Sequence, residues 1–335
     1  MRSSGITGWL LKFMASALLL VSCGAPTPGS NNHLRLAHGL NTEHPVHLAL
    51  EHLAAEAARL SNGSLTITVY PSEQLGSERE LVELLQIGSV AMTKISASVL
   101  ENFDRRFSVL SVPYLFTDRE HQFAALDGPA GTTLLEGLAP MRLRGLGFYD
   151  AGSRSFYTCE SAIATPADLQ GLKIRTQESA SAMAMVNALG ASPTPISWGE
   201  LYTALSQGVV DGAENNPPSF YSSRHFEVCP HYTLDEHTSV PDVLVMSSVI
   251  WSTLSPEHKA VIEQTVRSSV DYQRTLWQEA TQTALDQLEA AGVTVVRPDK
   301  QPFRASVEPL IREASNDAEL AQLITQFSLT TTEDR

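Results

Sequence analysis

The stretch 255–292, "SPEHKAVIEQTVRSSVDYQRTLWQEATQTALDQLEAAG", constrains the fold more than any other part of the chain. Ser255 and Pro256 read as a cap and first turn, and Gly292 as a stop. Proline loses no hydrogen bond at the first helical position, and glycine accepts the left-handed backbone that ends helices. Between them Val261, Val266, Val270, Leu276, Leu285 and Leu288 recur at roughly helical spacing. At ~1.5 Å per residue the helix would run about 50–55 Å, wider than one small domain, so it would cross two. The competing reading is two shorter helices broken near Asp271.

The rest of the chain alternates strands with helices. "HLRLAHG" (33–39) has strand alternation, and the helix after it places Leu48, Leu53, Ala57 and Leu60 on one face before Gly63. "SLTITVYP" is a strand, "GSERELVELLQIG" a short helix capped by Ser77 with Glu80 three residues on, and "SVAMTKIS" a further strand. The rhythm returns in "GLKIR", in helices over 179–189 and 198–207, and in the apolar strand "VPDVLVMSSVIW". This predicts an α/β fold with mainly parallel sheets and helices on their faces. A chain of 335 residues is comfortable for two such domains. A chain that leaves one half and returns to it leaves a cleft between them, where small ligands usually bind.

The first residues stand apart from this pattern. The run 13–21 is almost wholly apolar, follows Arg2 and Lys12, and is too short to span a membrane. It ends Leu20-Val21-Ser22-Cys23, which resembles a lipobox. The expectation is a lipoprotein signal over 1–22, a lipidated Cys23 and a flexible tether over 23–32; the plainer alternative is a secretory signal with Cys23 incidental. Removing Arg2 and Lys12 leaves 21 basic residues against 37 acidic ones, a formal −16. That balance argues against a nucleic-acid partner, and an anion would need locally concentrated positive charge. Cys159 and Cys229 could pair in an oxidising compartment or remain two buried thiols; the sequence leaves both open.

No catalytic constellation emerges: there is no GxxxxGK[ST], HExxH or GxSxG. His38, His44, His47 and His52 read as surface or cleft-edge histidines rather than metal ligands, and no cofactor is expected. In "DLQGLKIRTQES" Leu172 and Ile174 alternate with Lys173 and Arg175, so Arg175 ends a strand facing away from the core, and Lys173 reads as a solvated charge. Further polar candidates are Arg154 in a turn, the stiff segment "DGAENNPPSFY" (read as non-helical, with Glu214 and Asn215), and Asp235, Glu236 and His237 before the apolar strand.

"YPSEQLGSERELVELLQIGSVAM", "VPYLFTDREH", "TPADLQGLKIRTQES", "LGASPTPISWGELYTALSQGVVDGAEN" and "HFEVCPHYTLDEHT" together resemble the extracytoplasmic solute-binding subunit of tripartite ATP-independent periplasmic (TRAP) transporters, the DctP type, over about residues 33–325. The resemblance implies two α/β domains, here 33–151 plus about 241–280 and 152–240 plus about 281–328, with a ligand cleft between them and a long helix spanning both. It implies that Arg175 pairs with the carboxylate of an organic acid, assisted by Arg154 and Asn215, with Trp198 lining the cleft. It also implies delivery to small and large membrane permease subunits, and no enzymatic step. "AENNPP" and "LDEHT" depart from the commonest pattern. With Asp235, Glu236, His237 and Glu78 as hydroxyl acceptors, that variant resembles members that bind sugar acids such as hexuronates. The alternatives are a dicarboxylate receptor of the same family and an exported enzyme acting on sugar acids through Asp235, Glu236 or His237.

Overall fold

The computed structural model describes residues 33–329. The expected signal over 1–22, Cys23 and the expected tether lie outside the described residues. Two sheets form. The first has the order β2-β1-β3-β10-β4, from β1 (His33–Ala37), β2 (Thr66–Tyr70), β3 (Met92–Ser96), β4 (Leu143–Tyr149) and β10 (Asp242–Ser247). The second has the order β11-β9-β5-β8-β6-β7, from β5 (Arg154–Thr158), β6 (Lys173–Thr176), β7 (Ser192–Pro195), β8 (Gly212–Asn215), β9 (His231–Thr238) and β11 (Thr294–Val296). Most pairs are parallel, but β10 runs antiparallel to β3 and β4, and β5 antiparallel to β8 and β9.

Both faces of each sheet are covered, as strands with period-two side chains require. On β10, Val243 and Val245 join one apolar cluster while Leu244 and Met246 join the other. On β5, Phe156 and Tyr157 divide in the same way. The chain passes between sheets from β4 to β5 and again from β9 to β10.

The third connection is one continuous helix, Pro256–Ala290, 35 residues long. Ser255 caps it, and Gly292 follows with φ +86°. Ile262, Val266 and Trp277 pack in the core of the first sheet, and Leu288 in that of the second. The helix is not broken at Asp271. Its middle is instead fastened by Gln273, whose side-chain oxygen accepts from Asp150 N at 2.8 Å and whose nitrogen donates to Asp150 O at 2.7 Å.

Two further expectations resolve here. Cys159 and Cys229 form a disulfide across a separation of 70 residues, which in the chain-entropy picture is worth about 4 kcal/mol. The "NNPPSFY" segment, read as non-helical, instead carries a short helix, Pro217–Ser222. Asn216 accepts from Ser219 N at its start, and prolines in the first turn cost no helical bond.

Candidate ligand-binding site

A cleft lies between the two sheets, with about 710 Å³ of empty space counting its mouth. From the second sheet it is lined by Arg154, Arg175, Trp198 and Asn215, and from the first by Glu78 and Lys94. Several contacts join the two walls. Asn41 Nδ2 donates to Ser222 O at 2.7 Å, His44 Nε2 meets Ser219 Oγ at 3.1 Å, and Ser96 Oγ donates to Gln177 Oε1 at 3.3 Å.

Arg175 lies one residue before the end of β6 and is only 3% exposed. Its Nε donates to Ile196 O at 2.8 Å, and its guanidinium carbon lies 5.8 Å from the Trp198 ring. Nη1 is buried and has no partner among the described residues. Burial lowers its pKa from the ordinary arginine value, yet a guanidinium keeps its proton, so a desolvated cation faces the cleft with an unused donor. Behind it His225 is held neutral, its pKa lowered to about 3 by burial and by Arg175. Lys173, two residues earlier on the strand, is exposed.

The opposite wall carries a buried cation between two acids. Lys94 Nζ donates to Glu78 Oε1 at 2.7 Å and to Asp242 Oδ1 at 3.2 Å. Strand register explains the pairing: Lys94 faces Leu244, making Asp242 its diagonal neighbour. Burial opposes the Lys94 charge, but Asp242 and Glu78 outweigh it and raise the pKa. Lys94 and Asp242 are absent from the candidates read in the sequence. Their signal was one charge inside each of two otherwise apolar strands, "SVAMTKIS" and "VPDVLVMSSVIW", since a charge on a doubly covered strand must find a partner.

Arg154 also lines the cleft, but four of its five N–H donors are engaged within the protein. Nη2 meets Glu214 Oε1 at 2.9 Å and Glu214 O at 2.8 Å, Nη1 meets Asn215 Oδ1 at 3.0 Å, and Nε pairs with Glu214 Oε2. Deeper still, His237 Nδ1 lies 2.8 Å from Asp235 Oδ2 and Nε2 lies 3.5 Å from Glu214 Oε2. The expectation that Asp235, Glu236 and His237 line the cleft is therefore corrected. Asp235 and His237 are fully buried behind Arg154. Glu236 lies at a register shift in the β5–β9 pairing, has φ +49°, and pairs with Lys300 in a separate cavity. A bulge at this point of the pairing turns its side chain away from the cleft. That cavity is larger, about 1260 Å³ with its mouth, but its cations are engaged: Lys300 by Glu236, Arg119 by Asp150, and Arg304 by the Tyr114 ring.

The histidines are also more buried than expected: His38, His44 and His47 are all buried, with His38 Nε2 3.0 Å from His47 Nδ1. Burial lowers the His38 pKa to about 3 and puts His44 well below its ordinary value. Among the described residues no group of three or more His, Cys, Asp or Glu side chains is arranged to hold a metal. His237 goes the other way. Burial opposes its charge, but Asp235 and Glu214 raise its pKa to about 9. These shifts predict a stability maximum near neutrality. The raised His237 pKa gives stability that is full below pH ~6.5 and lost as pH rises through about 9, on the order of 3 kcal/mol. The depressed His38 and His225 pKa values give stability that is full above pH ~6.5 and lost as pH falls toward about 3. Denaturant titrations from pH 5 to 9.5 should fall on both sides; His237→Asn should flatten the alkaline limb only.

Residues 36–317 match the family described as bacterial extracellular solute-binding protein, family 7. The chain belongs to this family. It is a TRAP-type, DctP-family solute-binding protein. Among its relatives, a Salmonella typhimurium protein described as uncharacterized protein YiiZ is 37% identical over 289 residues, covering 86% of this chain and 88% of the relative. A TRAP periplasmic solute-binding protein from Bradyrhizobium sp. BTAi1, solved with galacturonate, is 40% identical and superposes with a TM-score of 0.86 over 88% of this chain and 99% of the other. One from Anaerococcus prevotii, solved with glucuronate, is 34% identical with a TM-score of 0.87 over 90% and 99%. This family of solute-binding proteins is extracytoplasmic. Among the described residues no helix is long and apolar enough to cross a membrane.

Proposed function

We propose that this family 7 protein captures a hexuronate between its two domains and passes it, chemically unchanged, to the TRAP membrane subunits. The observation that carries the reading is Arg175: a buried guanidinium, fixed through Nε, with an unpartnered nitrogen in the cleft. A carboxylate fits that planar fork and no neutral group would repay its desolvation as well. Arg154, Asn215, Trp198 and Glu78 line the same cleft; in this reading Arg154 and Asn215 assist at the carboxylate, Trp198 supplies an apolar platform, and Glu78 accepts from hydroxyls. The galacturonate and glucuronate in the solved relatives support the sugar-acid class. The proposed domains are 33–151 plus about 241–280 and 152–240 plus about 281–328, and cleavage before Cys23 with lipidation there would hold the receptor at a membrane.

A thermal-shift screen tests this. Galacturonate or glucuronate at about 100 times its Kd should stabilise the fold by about 2.7 kcal/mol, and mass spectrometry should recover it unaltered. Stabilisation by succinate or malate without any by uronates would replace the ligand class, and a converted uronate would make the protein an enzyme.

A further inference from the structure

We infer that Asp242 and Glu78, held in place by Lys94, set the specificity of the cleft: they accept sugar hydroxyls and reject a second carboxylate. The inference rests on the reading of Arg175 as the carboxylate anchor and names the groups that choose among its carboxylates. Three observations carry it. The first is position: Lys94, Glu78 and Asp242 come from the wall opposite Arg175, and all three line the same cleft.

The second is the hydrogen-bond inventory. Asp242 is 6% exposed, and its one side-chain bond uses Oδ1, to Lys94 Nζ. Oδ2 has no donor among the described residues. Glu78 is more engaged, with Oε1 taking Lys94 and Oε2 taking Ser96 N at 3.2 Å. Asp242 Oδ2 is open to the cleft, so an incoming hydroxyl can take the place of solvent as its donor without breaking any bond within the protein. A hydroxyl donates; a second carboxylate cannot.

The third is charge. Two carboxylates against one ammonium leave this wall net negative, and Glu73 lines it as well. Arg154 does not offset the balance, because Glu214 already neutralises it. His44 adds no charge, since burial keeps it neutral. Among the described residues one free cation faces the cleft from one side and an excess of acceptors from the other. That arrangement suits a polyhydroxy monocarboxylate and repels a dianion. Specificity here comes from the repulsive element as much as from the grip on the first carboxylate.

Calorimetry on the full chain tests the assignment with a uronate and the aldarate of the same sugar, which keeps the hydroxyls and adds a carboxylate. Wild type should bind galacturonate about 100-fold tighter than galactarate; a ratio under about 10-fold overturns the inference. Asp242→Asn, which removes an acceptor and presents a donor, should weaken galacturonate about 10-fold or more and narrow the ratio by a similar factor. Where that variant does not fold, Glu78→Gln and the wild-type ratio carry the readout. An unchanged ratio in both folded variants overturns the inference. If Arg175→Ala abolishes uronate binding while that ratio stays fixed, only the specificity assignment falls. If wild type binds no uronate at all, the proposed function falls and this inference with it.

Discussion

Arg175→Ala should weaken uronate binding by about 10³-fold or more while leaving the melting temperature unchanged or slightly raised. The size follows from what is lost. A bidentate guanidinium–carboxylate pair makes two charge-assisted bonds, each worth roughly 1.5–3 kcal/mol once desolvated. The ligand would also keep a buried, unpaired carboxylate. The sign of the stability effect follows from the cost of the buried group: Nη1 is a buried donor without a partner among the described residues, and burial opposes the charge that carries it. Truncation forfeits the Nε bond to Ile196 O and the contact with Trp198, but it also removes the cost of the buried charge, so the two offset and little stability is lost. Arg175→Lys should recover only part of the affinity, because an ammonium cannot form the fork. Calorimetry and melting curves on the two variants decide the matter. A variant that melts well below wild type, or still binds tightly, would remove Arg175 from its role.

Glu214→Ala should be the most destabilising single change in the cleft region, by about 3–5 kcal/mol. Glu214 is 2% exposed and takes three bonds from Arg154, with His237 on its far side. Burial would raise its pKa, but Arg154 and His237 bring it down to about 2. Two of those bonds reach its carboxylate; truncation removes them and leaves a buried guanidinium with backbone and amide partners only, and a buried imidazole with Asp235 alone. The test that separates a broken pair from a lost contact is a double variant. Arg154→Met with Glu214→Leu should recover much of the loss, because an apolar pair of similar volume carries no desolvation cost. Denaturant midpoints on the single and double variants measure the difference. A loss under about 1 kcal/mol for Glu214→Ala would mean that the quartet is wet or rearranged.

How far such a site could be read from the chain depended on which face a residue took. Arg175 was legible because "LKIR" alternates cleanly and its strand does not bulge. The long helix was legible because its cap, stop and apolar spacing agreed. Asp235, Glu236 and His237 were misplaced because the motif alone carried them to the cleft, while the register shift between Arg154 and Phe156 in the β5–β9 pairing, which decides where they point, is set by tertiary pairing. Lys94 and Asp242 were passed over because a strand's charged residue normally reads as solvent-facing, and only the register of β10 against β3 brings that cation to its acid. The Cys159–Cys229 bond could not be chosen from spacing, since neither cysteine carried a motif. Local periodicity reports local direction; partners distant in sequence come from topology.

Four lengths of backbone pass between the two halves among the described residues: residues 150–153, residues 239–241, the helix Pro256–Ala290, which Gln273 pins to Asp150 at mid-length, and residues 315–317, after which Leu323 and Phe327 pack back into the core of the first sheet. Two rigid bodies free in space have six relative degrees of freedom, and each short, stiff tether removes some. Two parallel ribbons side by side fix an axis, and a rod laid across them resists both twist about its own length and sliding along it. What survives is a single rotation. An opening and closing receptor of this build would behave like a door, not a jaw that can skew, so every closure would bring the same atoms of the two walls into register. A solute-binding protein needs that repeatability more than it needs range.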